Sequence, residues 1–180
     1  MTTIIGIEYE DSCFLVADSQ TTDDSGKIYN HPDVKKIAER GAFLIAGSGE
    51  VLPCDVAQHI WEPPTPTKKD RQDLYHFMIA KAMPSLRKCL TDNGYNFDES
   101  KNESRFQFLI TVCGEVFDVD QELCVSKTKD GMYAVGSGAA YALGALYAGA
   151  DAHEAMEISA KITAFTAGPY YSKIQTKHIK

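Results

Sequence analysis

Strand-like and helix-like segments come in separate blocks along this chain, and that ordering limits the folds open to it. Thr3–Glu8 and Cys13–Asp18 alternate or run apolar around a Glu10-Asp11-Ser12 turn, which reads as a β-hairpin. Thr21–Gly26 is polar and turn-like and leads into Lys27–His31. Val34–Ala38 and Ala42–Ala46 read as two more strands about Gly41. Two helices follow, Val51–Trp61 and Lys69–Asp92. In the second, Leu74, Phe77, Met78, Met83, Leu86 and Leu90 recur at roughly helical spacing, and Pro84 is expected to bend it. The intervening Glu62-Pro63-Pro64-Thr65-Pro66-Thr67 cannot be regular, because proline lacks a donor and fixes φ. After a polar loop at 93–104, Phe106–Val112, Glu115–Asp118, Leu123–Ser126 and Met132–Val135 read as strands. Ala139–Ala148 and Ala152–Thr166 read as helices. Asp151 and Glu154 have capping-box spacing for the latter, Gly168-Pro169 stops it, and Tyr170–Ile174 is a candidate last strand. Strands in blocks and helices in blocks mean antiparallel sheets with helices outside them, not alternating βαβ units. The expected class is α+β: one domain, a four-layer αββα sandwich of two antiparallel sheets.

Composition removes several functions. The chain has 180 residues, enough for a substantial core, and 44% of them are apolar, as in ordinary globular domains. A net charge of −7 gives no electrostatic support to nucleic-acid binding. No apolar run approaches the roughly 20 residues of a membrane span. The N-terminus lacks a basic n-region and a longer apolar h-region, so no signal peptide is expected. The five cysteines include no C-x-x-C pair and read as reduced thiols of a cytoplasmic protein. The five histidines show no metal-ligand spacing, so a zinc enzyme is not expected.

Chemistry can be placed at a few positions. Loss of the initiator Met would leave Thr2 with a free α-amine of unperturbed pKa roughly 7.7–8, a serviceable general base beside its own hydroxyl nucleophile. Thr2 and Thr3 also fit the opening of a plain edge strand. Asp18 ends an apolar strand, where a buried acid needs a cationic partner. Lys35-Lys36 offers one, although two solvated lysines on a surface strand fit the same residues. A lysine near Thr2 would favour the alkoxide and lower the pKa of the neighbouring amine. Lys36, not Lys35, is expected beside Asp18, since successive strand residues point to opposite faces. Gly47-Ser48-Gly49 and Gly136-Ser137-Gly138 both lie at strand-to-helix junctions. Gly49 could offer a backbone N–H to an oxyanion, and Ser137 could hydrogen-bond the terminal amine. Each glycine-serine-glycine also fits a simple tight turn.

Taken in order, these segments resemble the proteasome β-type subunits, and more closely the bacterial HslV-like form. The resemblance rests on Thr2-Thr3-Ile4, Ala17-Asp18-Ser19 with Thr22, Val34-Lys35-Lys36, Ile45-Ala46-Gly47, Val135-Gly136-Ser137-Gly138 with Tyr141-Ala142, and the helix at 152–166. It implies the N-terminal nucleophile hydrolase fold and a threonine-type endopeptidase. Thr2 would be the nucleophile and Asp18 with Lys36 the charged pair behind it. Gly49 would sit at the oxyanion position and Ser137 in the motif that contacts the amine. Thr22, Gly47 and Ser48 would hold the substrate. No cofactor is required by the resemblance. A Na+ on the backbone carbonyls of Ala160, Thr163 and Thr166 is implied by the bacterial form. The implied partners are other copies of the chain in stacked hexameric or heptameric rings, an ATP-dependent unfoldase, and peptide or unfolded protein substrates. Two alternatives stay open: a non-catalytic ring subunit that keeps Met1, and a small-amide acylase on the same fold.

Overall fold

A computed structural model describes residues 2–23, 25–29, 33–97 and 105–177. The expected hairpin is present. β1 (Thr3–Glu8) pairs antiparallel with β2 (Ser12–Ala17), setting Ile5 opposite Val16. A second short hairpin, β3 (Thr21–Thr22) with β4 (Ile28–Tyr29), occupies the polar stretch that follows. The strand expected at 34–38 lies later, as β5 (Ile37–Arg40). Its partner β6 (Phe43–Gly49) runs beyond the expected Ala46, because pairing with a later strand carries the ladder to Gly49, opposite Phe106. Tertiary pairing, not local propensity, sets that strand end.

The first helical block is less regular than its spacing suggests. α1 (Val51–Asp55) continues into a π-helical turn, Val56–Ile60. The wider turn puts three consecutive residues, Val56, Ala57 and Gln58, on the buried side. The helix expected at 69–92 is divided into a 3₁₀ turn (Asp70–Gln72), α2 (Leu74–Phe77), a π turn (Met78–Ala82) and α3 (Met83–Asp92). Pro84 lies in the first turn of α3, where a missing N–H is tolerated. Residues 98–104 of the expected loop, Asp24 of the expected 21–26 turn, and Asn30 and His31 of the expected 27–31 stretch lie outside the described residues.

The second half follows the sequence reading closely: β7 (Phe106–Val112), β8 (Glu115–Val119), β9 (Val125–Ser126), β10 (Met132–Gly136), α4 (Ala139–Tyr147), α5 (Ala152–Ile162) and β11 (Tyr171–Thr176). The capping box opens α5. Glu154 N donates to Asp151 Oδ1 at 2.9 Å and Asp151 N to Glu154 Oε2 at 3.0 Å. Helix α5 stops at Ile162, not at Thr166 as expected, with Thr163 extended (φ −117°, ψ 134°). The residues beyond it give their carbonyls to the N-terminal half of the chain instead. Ala164 O accepts from Gln20 Nε2 at 2.8 Å, and Ala167 O accepts from Ser19 N at 3.2 Å.

The larger ladders form two antiparallel sheets, ordered β10-β1-β2-β11 and β5-β6-β7-β8-β9. Period-two alternation sorts their side chains into three cores. Ile4, Leu15, Ala17 and Val135 from one sheet meet Leu44, Ala46, Leu109 and Val116 from the other. The opposite face of the first sheet, through Ile5 and Val16, packs on Ala142, Leu146, Ala155 and Met156 of α4 and α5. The opposite face of the second, through Phe43, Ile45, Phe108 and Ile110, packs on Trp61, Phe77, Met78 and Leu86. Each such large side chain contributes roughly 1.5–3 kcal/mol by burial. Among the described residues, no helix is long and apolar enough to cross a membrane.

Candidate active site

The site forms where the start of β1, the end of β2 and the junctions after β6 and β10 converge. Alternation along β1 sends its first two threonines to different places. Thr3 lies on the same face as Ile5, toward α4 and α5. Its hydroxyl is 2.5 Å from Thr166 Oγ1, in a fully buried contact. Thr2, only 6% exposed, lies next to β10. Its carbonyl accepts from Ser137 Oγ at 3.2 Å.

Gly136 makes this approach possible. Its φ is +93°, and a Cβ there would fall 2.1 Å from Thr2 O and 2.8 Å from Ser48 Oγ. Only glycine combines that backbone with that closeness. The same numbers place Ser48 beside Thr2. Gly49 is at φ +104°, and a Cβ on it would meet Arg105 O at 2.1 Å. The face of Gly47 turns the other way, onto Cys54 of α1 and Phe108.

Behind Thr2 and Thr3 lies a buried ion pair. Lys36 Nζ is 2.7 Å from Asp18 Oδ1, with side chains 9% and 0% exposed. Asp18 Oδ1 also accepts from Thr3 N at 2.9 Å, and Asp18 Oδ2 from Gln20 N at 3.1 Å. Burial pushes the Asp18 carboxyl up, while Lys36 and these N–H donors act in the opposite direction. With three donors on two oxygens, the site is built around the ionised form. Burial lowers Lys36 below the usual lysine range, against the pull of Asp18. Lys35 points away, its ammonium 4.9 Å from the centre of the Tyr171 ring.

Two glutamines that the sequence reading passed over complete the frame. Gln20 is buried. Its side-chain amide nitrogen donates to Thr22 Oγ1 at 3.0 Å as well as to Ala164 O, and its backbone carbonyl accepts from Lys36 Nζ. Gln58, on the π turn after α1, donates to Lys36 O at 2.7 Å and Ile45 O at 3.2 Å. Gln58 stands among apolar neighbours in the sequence, which was the one available signal for it. Gln20 follows Asp18 in a polar stretch and gave none.

A cleft of about 1150 Å³ opens in front of this frame. Thr22, Ser48, Gly49 and Ser137 line it, together with Gly136, Glu50 and Arg105. The structure therefore brings four of the expected site residues to one cleft, whereas Thr2 and Gly47 do not line it, and Thr2 is joined to the lining by the Ser137 hydrogen bond to its carbonyl. Asp18 and Lys36 lie behind. Of the carbonyl set proposed for a cation, Ala160 is in the last turn of α5, Thr163 caps it, and Thr166 follows in the loop behind Thr3. Among the described residues, no group of three His, Cys, Asp or Glu is placed to hold a metal ion.

No protein-family model matches the chain, and no curated protein sequence matches it significantly. Solved structures do. The chain superposes on BPH of Thiobacillus denitrificans, in its complex with epoxomicin, with a TM-score of 0.71 at 20% identity over 97% of this chain and 98% of that one. Against another BPH structure the TM-score is 0.71 at 21% identity, covering 97% of each chain. Against HslV of Trypanosoma brucei it is 0.69 at 18% identity, over 97% of this chain and 99% of the other. The chain has the N-terminal nucleophile hydrolase fold. The resemblance to HslV and proteasome-like subunits legible in the sequence extends to the whole of that fold.

Proposed function

We propose that this chain is a threonine-type endopeptidase subunit of a self-compartmentalised, proteasome- or HslV-like protease, with Thr2 as its nucleophile after removal of Met1. The observation that carries this reading is the buried Asp18–Lys36 pair, tied through Asp18 Oδ1 to the Thr3 N–H immediately after the nucleophile. A plain edge strand has no use for such a pair, because two desolvated charges cost several kcal/mol each before their attraction offsets it.

The α-amine of Thr2 takes the hydroxyl proton as Oγ1 attacks the peptide carbonyl carbon. The Lys36 ammonium favours the developing alkoxide. The Gly49 N–H donates to the oxyanion of the tetrahedral intermediate. The ammonium on Thr2 returns its proton to the departing amine, the C–N bond breaks, and an ester joins the acyl group to Thr2. Water then hydrolyses that ester, with the amine again as base. Ser137 holds the Thr2 carbonyl and so orients the amine, while Thr22, Ser48 and the Gly47 backbone hold the substrate chain.

The layer order we infer is αββα, supported by the three separate cores. Copies of the chain would stack as hexameric or heptameric rings that enclose the cleft, fed by an ATP-dependent unfoldase in the cytoplasm. A Na+ on Ala160, Thr163 and Thr166 fits the end of α5, where last-turn carbonyls lack helical amides to bond and supply hard oxygen donors. It would steady the loop behind Thr3.

The test is direct. Thr2→Ala should abolish peptide cleavage without dispersing the assembly, and Thr2→Ser should keep part of the activity. Intact mass should show loss of Met1, and epoxomicin, the compound in complex with BPH, should add to the Thr2 peptide. Cleavage at the wild-type rate by Thr2→Ala would overturn the mechanism.

A further inference from the structure

The cleft holds one acid with unused bonding capacity. Glu50 follows Gly49 and lines the cleft. Its Oε2 is buried and has no hydrogen-bond partner among the described residues. Glu50 is also the N-cap of α1, yet its side chain makes no cap bond to that helix. Its backbone is fixed, with Glu50 N donating to Arg105 O at 3.0 Å. The other acid lining the cleft, Asp23, is already engaged by Ser25 N, Ser25 Oγ, Lys27 N and Tyr29 OH. Arg105 lines the same cleft, but Glu50 Oε2 takes no hydrogen bond from it. A carboxylate oxygen removed from water and left unbonded is unfavourable, and a ligand bringing a cationic donor relieves that cost.

Chain geometry says which part of a substrate would bring it. The carbonyl held by the Gly49 N–H belongs to the residue that becomes the acyl group. That residue's side chain starts one atom from the reacting carbon. A long side chain there can reach the residue next to Gly49. We propose that Glu50 selects substrates with arginine or lysine immediately before the scissile bond. This rests on the peptidase reading above and names its substrate class.

The test compares fluorogenic peptides that differ only in the residue before the cleaved amide: arginine, norleucine or glutamate. The assembled enzyme should show kcat/KM for arginine about ten- to a hundredfold above norleucine, as a charge-assisted bond to a half-buried acid whose Oε2 is shielded from water provides. Glu50→Gln should lower the arginine-to-norleucine ratio by about the same factor. Glu50→Lys should reverse the order of arginine and glutamate. A ratio does not depend on how much variant folds, and epoxomicin labelling of Thr2 counts the active sites. If norleucine is cleaved as well as arginine, or if the ratio survives Glu50→Gln, the assignment of Glu50 is overturned while the peptidase reading stands. If no peptide is cleaved and Thr2 is not labelled, the peptidase reading falls, and this inference with it.

Discussion

Lys36 Nζ lies 2.7 Å from Asp18 Oδ1, while the ammonium of Lys35, one residue earlier, sits over the ring of Tyr171. Both lysines precede β5 in irregular backbone, and that backbone sends two adjacent side chains of identical chemistry to opposite environments. Lys36→Ala should destabilise the fold by roughly 3–5 kcal/mol, because Asp18 is left buried and uncompensated. It should also remove activity. Lys36→Arg should keep the charge and lose most activity, since a planar guanidinium cannot stand in for a compact ammonium. Lys35→Ala should leave peptide turnover near wild type. Chemical denaturation and a peptidase assay on the three variants check this. Loss of activity in Lys35→Ala alone would shift the catalytic assignment by one residue.

Gly136→Ala should be far more damaging than an ordinary exchange of glycine for alanine. The added Cβ would meet Thr2 O at 2.1 Å on a backbone with φ +93°. Either the strand end or Thr2 must move, so labelling of Thr2 should fall at least as steeply as stability. Epoxomicin labelling rates beside a thermal melt would separate the two effects.

Under the proposed mechanism Gln58 would be a positioning residue, not a catalytic one. Its amide satisfies the carbonyls of Lys36 and Ile45 from the π turn. Gln58→Leu leaves two acceptors without that donor, at a cost of roughly 1–3 kcal/mol each. The expected signature is a lower kcat with little change in KM, together with a shifted pH–rate profile as Lys36 loosens. A change in KM alone would contradict this role.

Thr3→Val removes the 2.5 Å hydroxyl contact with Thr166 while nearly keeping shape. It should lower stability by roughly 1 kcal/mol and leave Thr2 as the labelled residue. Mass mapping of the labelled N-terminal peptide distinguishes the two threonines. A label on Thr3 in the wild-type protein would overturn the choice of Thr2.

Cys54 lies under Gly47, and burial pushes its thiol up to about 12. It should therefore stay protonated and resist iodoacetamide near pH 8 in the folded protein. Cys124, which is exposed, should alkylate first. Time-resolved mass mapping reads the order.

The sequence by itself determined the block order of the elements, the N-terminal hairpin, the capping box of α5 and the strands from Phe106 to Gly136. Each of these is written in local periodicity or in a short-range hydrogen-bond pattern. It also singled out Lys36 over Lys35 on the premise of a strand over 34–38, although in the folded chain both lysines precede β5 and the alternation does not extend to them. The tertiary structure alone decided where β6 and α5 end. β6 is extended to Gly49 by its pairing with β7, and α5 stops at Ile162 while the residues beyond it bond across to Ser19, Gln20 and Thr3. It alone brought Gln20 and Gln58 to the site, since each donates to carbonyls far away in the chain. It alone exposed the unbonded Oε2 of Glu50, because the lack of a partner among the described residues becomes visible only once those residues are placed in space. Local patterns fix which elements form. Competition between hydrogen-bond partners distant in sequence fixes where those elements stop and what they hold between them.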